Sequence, residues 1–203
     1  MSYDKELIAH KLQRWDQFIT DYHLPEWDSI PDFGLYMDQV SNLLEQYLNF
    51  IPSDEKNRMV TASAINNYVR LKIMPAPVKR KYDRTHIAYL IFILTLKQCL
   101  SISDVQKIIP PDLSEKQLQA AYRDYCETFR HLALFFNRQV QSAANDILSC
   151  DPNSSGAVER LLIESTLIAG FSKILSEKLI YLQDADVDEV LSAEKEAKNN
   201  RKP

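Results

Sequence analysis

Nine basic side chains between residues 56 and 97 form a cluster that could bind the phosphate backbone of a nucleic acid. The same segment contains one acid, Asp83, so its charge is +8 in a chain of net charge −4, and the other residues carry −12. Phosphate contacts from Lys and Arg supply most of the sequence-independent free energy of nucleic-acid binding. The basic residues are Lys56, Arg58, Arg70, Lys72, Lys79, Arg80, Lys81, Arg84 and Lys97. This distribution predicts a nucleic-acid site in an otherwise acidic protein.

A short polar segment within the cluster has residue types that recognise bases. The pattern predicts a helix over residues 62–72 whose inner face carries Ile65, Tyr68 and Val69. Ser, Asn and Arg on its outer face would reach base edges and phosphates in the major groove. The predicted binding residues on this helix are Ser63, Asn66, Asn67, Arg70 and Lys72.

A basic wing is predicted directly after this helix. Pro75 and Pro77 end the helix and favour extended backbone, and the alternation of residues 78–82 predicts a short β-strand. The basic side chains of the wing would position the protein on the phosphate backbone without reading sequence. They are Lys79, Arg80, Lys81 and Arg84. A solvated basic face is the alternative interpretation of the same residues.

Residue types that catalysis or metal binding requires are scattered along the chain. The four histidines are isolated, and the cysteines (Cys99, Cys126 and Cys150) form no CxxC pair. Neither Ser63 nor Ser103 has a His partner nearby in the sequence, and three glycines argue against a glycine-rich phosphate loop. We therefore expect no enzymatic activity, no metal and no cofactor.

The chain lacks sequence features of export or membrane insertion. Its N-terminal residues carry acids and no apolar signal core. The most apolar run, Ile87–Leu96, is about half the length that crosses a bilayer, and charged residues interrupt the longer run Leu161–Leu182. We expect a cytoplasmic protein without membrane partners.

Apolar spacing predicts an all-α fold. Helices are expected at residues 4–22, 35–50, 61–72, 85–100, 101–109, 114–147 and 157–182. The segment 85–100 is apolar on nearly every side and should form the buried centre. Ser114 and Gln117 form a capping-box pattern at the start of a long helix. The last two helices predict a long C-terminal helical hairpin.

Four regions are predicted along the chain. They are an N-terminal helix and connector at 1–34, a winged helix-turn-helix DNA-binding domain at 35–111, the helical hairpin at 112–184 for dimerisation or regulation, and a charged tail at 185–203.

The order of these elements resembles the DNA-binding domain of the mercury-resistance-regulator (MerR) superfamily. The resemblance is carried by Tyr68-Val69-Arg70, the apolar-Pro step, the basic wing ending in Tyr82 and the Ser-Ile-Ser-Asp-Val helix start. From Leu24 to Ile109 the chain is also similar to a bacterial family known as domain of unknown function 1836. The strings that carry this similarity are LPEWDSIPDFGLYMDQV, INNYVRLKIMPAPVKRKYDRTHIAYLIFI and LKQCLSISDV.

The resemblance implies a transcriptional regulator that binds double-stranded DNA through a recognition helix at 62–72 and a wing at 74–84. Helices at 85–100 and 101–109 would support them. A dimer would hold two recognition helices about 34 Å, or a multiple of that, apart and favour an inverted repeat. The alternative is a helical protein–protein interaction module that binds no nucleic acid and uses the acidic helical surface.

The predicted C-terminal hairpin leaves two interpretations open. It is either an antiparallel element of a homodimer, or a bundle that closes over the N-terminal helix around a small-molecule effector of unknown identity. In the second case aromatic residues would line an apolar pocket, although ordinary core packing explains them equally. These residues are Tyr122, Tyr125, Phe129, Phe135, Phe136 and Phe171.

Overall fold

The computed structural model describes residues 3–52, 60–110, 112–149, 155–183 and 185–187. The helices within these ranges are α1 (Lys5–Asp21), α2 (Met37–Tyr47), α3 (Ala62–Arg70), α4 (Arg84–Leu96), α5 (Ile102–Ile108), α6 (Glu115–Ala143), α7 (Asn145–Leu148) and α8 (Ala157–Tyr181). A short 3-10 helix at Trp27–Ser29 lies between α1 and α2. The described residues form helices and no β-strand, which confirms the all-α class. Lys56, Arg58, Cys150 and most of the predicted tail at 185–203 lie outside these ranges.

α4 lies at the centre of the core, as its sequence predicts. Every residue from His86 to Leu94 is buried, because apolar side chains cover all sides of this helix and must be removed from water. Helices α2, α5 and α6 contact it. Near its end, the hydroxyls of Thr95 and Tyr125 share a hydrogen bond of 2.5 Å, which ties α4 to α6.

α3 has the inner face that its spacing predicts. Ile65 and Tyr68 are buried in the core, and the Thr61 hydroxyl accepts a hydrogen bond from the Ala64 N–H at 3.1 Å, which caps the start of the helix. At its end, the Gln106 amide of α5 donates to the Leu71 carbonyl at 2.6 Å. α5 therefore holds the C-terminal end of α3 in place.

α6 begins at the predicted capping box and packs on two different neighbours. The Ser114 N–H donates to Gln117 Oε1 at 3.0 Å, and the Ser114 hydroxyl accepts from the Gln117 N–H. Tyr122, near the start of α6, is buried in the core, whereas the later part of the helix packs on α1. There the buried Asn137 amide donates to the Asp16 carboxylate at 2.5 Å.

The C-terminal helices differ from the predicted hairpin in two respects. The helix expected at 114–147 ends at Ala143, and the short α7 follows it. The main partner of α6 is α1, whereas α8 lies mainly against α5 and α7. Ala157 and Ile180, near the two ends of α8, are buried, and most residues between them are exposed.

The predicted β wing is wrong in the described residues. Val78 and Lys81 form one isolated antiparallel bridge, and Leu35 and Tyr82 form another, but no strand develops from either. Only two residues separate Val78 from Lys81, and the prolines before them lack the N–H that a ladder would need. The segment is therefore a tight turn and not a strand-built wing.

The six aromatic residues considered for a ligand pocket do not share one cavity. Tyr122 packs edge-on against Trp27 in the core, and Phe129 packs against Phe50. Phe135 and Phe171 are instead exposed. Core packing therefore explains the first group, and a pocket lined by all six is wrong.

Candidate nucleic-acid interface

The turn from Val78 to Lys81 holds two basic residues in a left-handed conformation. Lys79 has φ of 51° and Arg80 has φ of 61°, and the Lys81 N–H donates to the Val78 carbonyl at 2.9 Å. Two central residues with positive φ are the mark of a type I′ turn, which normally takes Asn-Gly. For Lys and Arg, each left-handed residue costs roughly 1–2 kcal/mol.

The turn is anchored at both arms. Leu35 and Tyr82 exchange two backbone hydrogen bonds of 2.7 and 2.9 Å, and the Tyr82 side chain is buried. On the other arm, Nε2 of the buried His86 lies 3.2 Å from the Ala76 carbonyl oxygen. Lys79 and Arg80, the two left-handed residues, are therefore held at the tip of a turn whose two ends are both anchored.

His86 is a positioning residue that sequence reasoning missed. The histidine was expected to be isolated, but its Nδ1 lies 2.7 Å from the Asp83 carboxylate, and the two residues form a capping box at the start of α4. The Asp-x-x-His spacing is the sequence signal that could have found it. The contact with Ala76 depends on tertiary packing and has no such signal.

A third left-handed residue ends α3. Lys72 has φ of 56°, its N–H donates to the Val69 carbonyl at 3.0 Å, and the next N–H, of Ile73, donates to the Tyr68 carbonyl at 3.0 Å. These two bonds define a Schellman motif, whose left-handed position is usually glycine. Lys72, Lys79 and Arg80 are the non-glycine residues with positive φ in the described ranges, and all three are exposed and basic.

The outer face of α3 carries the predicted base-reading residues. Ser63, Asn66 and Arg70 are exposed and Asn67 is half-buried. The Arg70 guanidinium donates from Nη2 to Asn67 Oδ1 at 2.8 Å. Asn67 therefore orients Arg70 on the helix surface, and the structure assigns different surroundings to the two neighbouring asparagines.

Lys81 faces an aromatic ring at the base of the turn. Its Nζ lies 5.3 Å from the centroid of the Tyr36 ring, in a cation–π arrangement. Arg70, Lys72, Lys79, Arg80 and Lys81 have no ion-pair partner within the described residues. Their charge is therefore not neutralised by acids in this part of the chain.

Arg84 makes several contacts within its own chain. Its Nε donates to the Ile30 carbonyl at 2.9 Å, its guanidinium lies 5.8 Å from the centroid of the Trp27 ring, and its side chain is 17% exposed. Asp28 lies 4.0 Å from the same guanidinium. These contacts hold the connector before α2 against the start of α4 and give Arg84 a packing role, while its contact with nucleic acid stays a prediction.

In another surface cleft, beside Tyr22 and Tyr47, both tyrosine hydroxyls donate to backbone carbonyls. The Tyr22 hydroxyl donates to the Tyr47 carbonyl, and the Tyr47 hydroxyl donates to the Ser29 carbonyl at 3.2 Å. Burial raises the pKa of the Tyr22 hydroxyl well above its ordinary value, so it stays protonated. Burial also raises the pKa of the Cys126 thiol, which lies in a neighbouring cleft with Glu26.

Within the described residues, no group of His, Cys, Asp and Glu side chains is arranged to hold a metal ion. None of the helices described combines the length and the apolar character needed to span a bilayer.

The fold and the surface define an all-α protein with an exposed basic turn and a polar helix beside it in the chain. Residues 25–125 match the family described as "Domain of unknown function (DUF1836)", which supports the similarity seen in the sequence. All nine candidate binding residues lie within that match. No curated protein and no solved structure matches the chain.

Proposed function

We propose that this protein is a transcriptional regulator that binds double-stranded DNA through α3 and the turn at 78–81. The observation that carries the proposal is the identity of the three left-handed residues, Lys72, Lys79 and Arg80. Glycine or asparagine would be more stable at these positions. Strained backbone persists mainly where function requires it, and phosphate binding is the function that three exposed cations suit.

In the proposed complex, one set of residues contacts base edges and another set contacts phosphates. In this proposal α3 serves as the recognition helix, in the manner of the MerR superfamily, and the tight turn takes the place of the wing. Ser63, Asn66 and the Arg70 guanidinium oriented by Asn67 contact base edges in the major groove. The cations at 72 and 79–81 contact phosphates and fix the register of the protein on the duplex.

Salt dependence of binding tests this proposal directly. The four phosphate contacts of Lys72, Lys79, Arg80 and Lys81 predict that log K falls against log salt with a slope of roughly −3.6 per bound chain. Fluorescence anisotropy with random and genomic duplexes, between about 50 and 200 mM salt, measures that slope. Arg80→Glu together with Lys81→Glu should weaken binding to every sequence and make the slope shallower, at roughly −1.8.

A matched charge reversal elsewhere controls for net charge. Lys11 and Arg14 are exposed on α1, so Lys11→Glu with Arg14→Glu changes the total charge by the same amount outside the proposed interface. This variant should bind DNA with the affinity and slope of the unchanged protein at the higher salt concentration, where long-range charge effects are screened. Equal losses in both double variants would contradict a local interface.

A protein–protein interaction module is the second candidate function. The observation that favours it is the large number of exposed apolar side chains on α8. Such a module would form a complex that is insensitive to salt and would not retain DNA at low salt. Absence of DNA binding at about 50 mM salt would therefore favour this candidate over the first.

A further inference from the structure

α8 is a long helix, and many of its apolar side chains are not covered by the rest of the described chain. It has 25 residues and is about 37 Å long. Phe171, at its middle, is 69% exposed, and seven large apolar residues around it are also exposed. These seven are Ile163, Leu167, Ile168, Ile174, Leu175, Leu179 and Leu182. A helix with this composition is normally buried.

Five of the exposed apolar residues of α8 follow the spacing of one helical face. Leu167, Ile168, Phe171, Ile174 and Leu175 are separated by the intervals 1, 3, 3 and 1, which place them on a continuous stripe. On a different side of the helix, Lys173 and Glu177 form an ion pair of 3.6 Å. The exposed Leu162 also lies outside the stripe, so apolar residues occur on more than one side of α8 and the stripe is their longest continuous exposed run.

We propose that this stripe is the interface with a second copy of the chain, in which two α8 helices pack antiparallel about a two-fold axis at Phe171. Eight half-exposed large apolar residues present on the order of 800 Å², which is what each partner contributes to an interface of standard size. A patch of this size exceeds what an ordinary monomer exposes. The inference does not depend on DNA binding.

Charge complementarity fixes the direction and register of the pair. When Phe171 faces its own copy in antiparallel orientation, Glu164 lies opposite Lys178 of the second copy, because both are seven residues from the centre. The same register places Ile168 opposite Ile174 and Leu167 opposite Leu175 of the second copy. A parallel pair would instead place Glu164 against Glu164 and Lys178 against Lys178.

A second copy fits the stripe better than the other available occupants. The sixteen residues after Val187 contain Val190 and Leu191 but no other large apolar residue, so this segment cannot cover eight apolar positions. The six charged residues of α8 sum to zero, whereas helices that bind membrane surfaces have an excess of Lys and Arg on the polar face. A second copy requires neither an apolar tail nor an excess of basic residues. It also pairs Glu164 and Lys178 with opposite charges.

Sedimentation of the full chain and a charge swap test the interface. We expect a particle of 47 kDa, twice the 23.5 kDa of the chain, at micromolar concentration. Glu164→Lys should shift the protein toward monomer, and adding Lys178→Glu to it should restore the dimer. Glu177→Lys makes the same charge change on the polar face and should leave the dimer unchanged.

Disulfide cross-linking tests the register without relying on stability. In a background with Cys99→Ser, Cys126→Ala and Cys150→Ser, Phe171→Cys should form a covalent dimer on oxidation. Ile168→Cys should not, because the antiparallel register separates the two copies of position 168 by six residues, about 9 Å along the helices.

Three outcomes of the association and cross-linking experiments would overturn the proposal. They are a monomer at all accessible concentrations, a dimer that Glu164→Lys leaves intact, and a cross-link at 168 as strong as that at 171. Binding to lipid vesicles by a protein that stays monomeric in solution would also overturn it. Because the α8 variants leave residues 63–81 unchanged, failure of this proposal is distinguishable from failure of DNA binding.

Discussion

The Arg70 guanidinium donates a hydrogen bond of 2.8 Å to Oδ1 of Asn67, one turn earlier on α3. This bond fixes the direction of an arginine that otherwise has many rotamers, and a pre-oriented guanidinium loses less entropy when it binds a base. The two residues therefore act as one unit on the outer face of the helix. Asn66, the neighbouring exposed residue, is the asparagine with which the role of Asn67 can be compared.

Asn67→Ala should reduce discrimination between a selected DNA site and random duplex. We expect a loss of about 1–3 kcal/mol, the size of one bidentate base contact, because Arg70 loses its orienting partner. Arg70→Ala should cost a similar amount, and the double variant should cost little more than either single variant. Affinities for a site selected from random sequence, compared with random duplex, measure this. Additive losses, or equal losses on both duplexes, would contradict the coupling.

Gly34→Ala should disturb the base of the basic turn. A Cβ atom at Gly34 would lie 2.7 Å from Cβ of Lys81, so the bridge between Leu35 and Tyr82 must shift to accommodate it. We expect a loss of about 1–3 kcal/mol in the free energy of unfolding, measured by chemical denaturation, with weaker DNA binding. At Gly170 on α8 an added Cβ meets nothing within 4 Å, so Gly170→Ala should not destabilise the protein.

Relief of backbone strain should raise stability while it lowers DNA affinity. Lys72→Gly removes the left-handed strain at the end of α3 and should increase the free energy of unfolding by about 1 kcal/mol. It also removes one cation, so the salt slope of DNA binding should become shallower by about 0.9. Lys72→Ala is the matched control, because it removes the same charge but keeps the strained conformation. The proposal predicts equal affinity losses in the two variants and higher stability only in the glycine variant.

Arg84→Gln should affect stability and leave the salt slope of DNA binding unchanged. The guanidinium of Arg84 packs beside Trp27 and donates to the Ile30 carbonyl, so its loss leaves a buried acceptor with a weaker partner. We expect a decrease of about 1–3 kcal/mol in the free energy of unfolding. Denaturant titration and the anisotropy slope, measured on the same preparation, separate this role from phosphate binding. A shallower slope would show that Arg84 contacts DNA after all.

Alkaline pH should destabilise the protein through its buried tyrosines. Burial raises the pKa of Tyr122 above its ordinary value of 10.0, and its hydroxyl donates to the Pro25 carbonyl at 2.8 Å. Above pH 10 the unfolded state releases this proton and the folded state keeps it, so stability falls by about 1.4 kcal/mol per pH unit for each such tyrosine. Tyr122→Phe should be less stable at neutral pH but lose less stability between about pH 10 and 11.

Most helices and the capping box of α6 were predictable because their signals are local, whereas the cap of α4 was missed. The apolar spacing around Ile65 defines α3, and the Ser114 capping box defines the start of α6, with its side-chain partner three residues away. The burial of α4 was predictable because an apolar helix of that kind has no stable place at the surface.

The conformation of the turn and the role of Arg84 could not be read from the sequence. Propensity assigns positive φ to Gly and Asn, so Lys79 and Arg80 give no sign of a type I′ turn. The carbonyl that Arg84 binds belongs to Ile30, 54 residues away, and only the tertiary fold brings them together. The packing of α8 on α5 is equally non-local, because neither helix carries a mark that identifies the other.

The left-handed lysines and arginine also carry an evolutionary consequence. Under the proposed function, a lineage that ceases to bind DNA loses the reason to keep cations at positions 72, 79 and 80, while selection for stability continues to favour Gly and Asn there. Such a lineage should drift toward those two residues at all three positions and keep the apolar residues of α4. The residue types at three backbone positions would then record whether a relative has retained or abandoned the proposed activity.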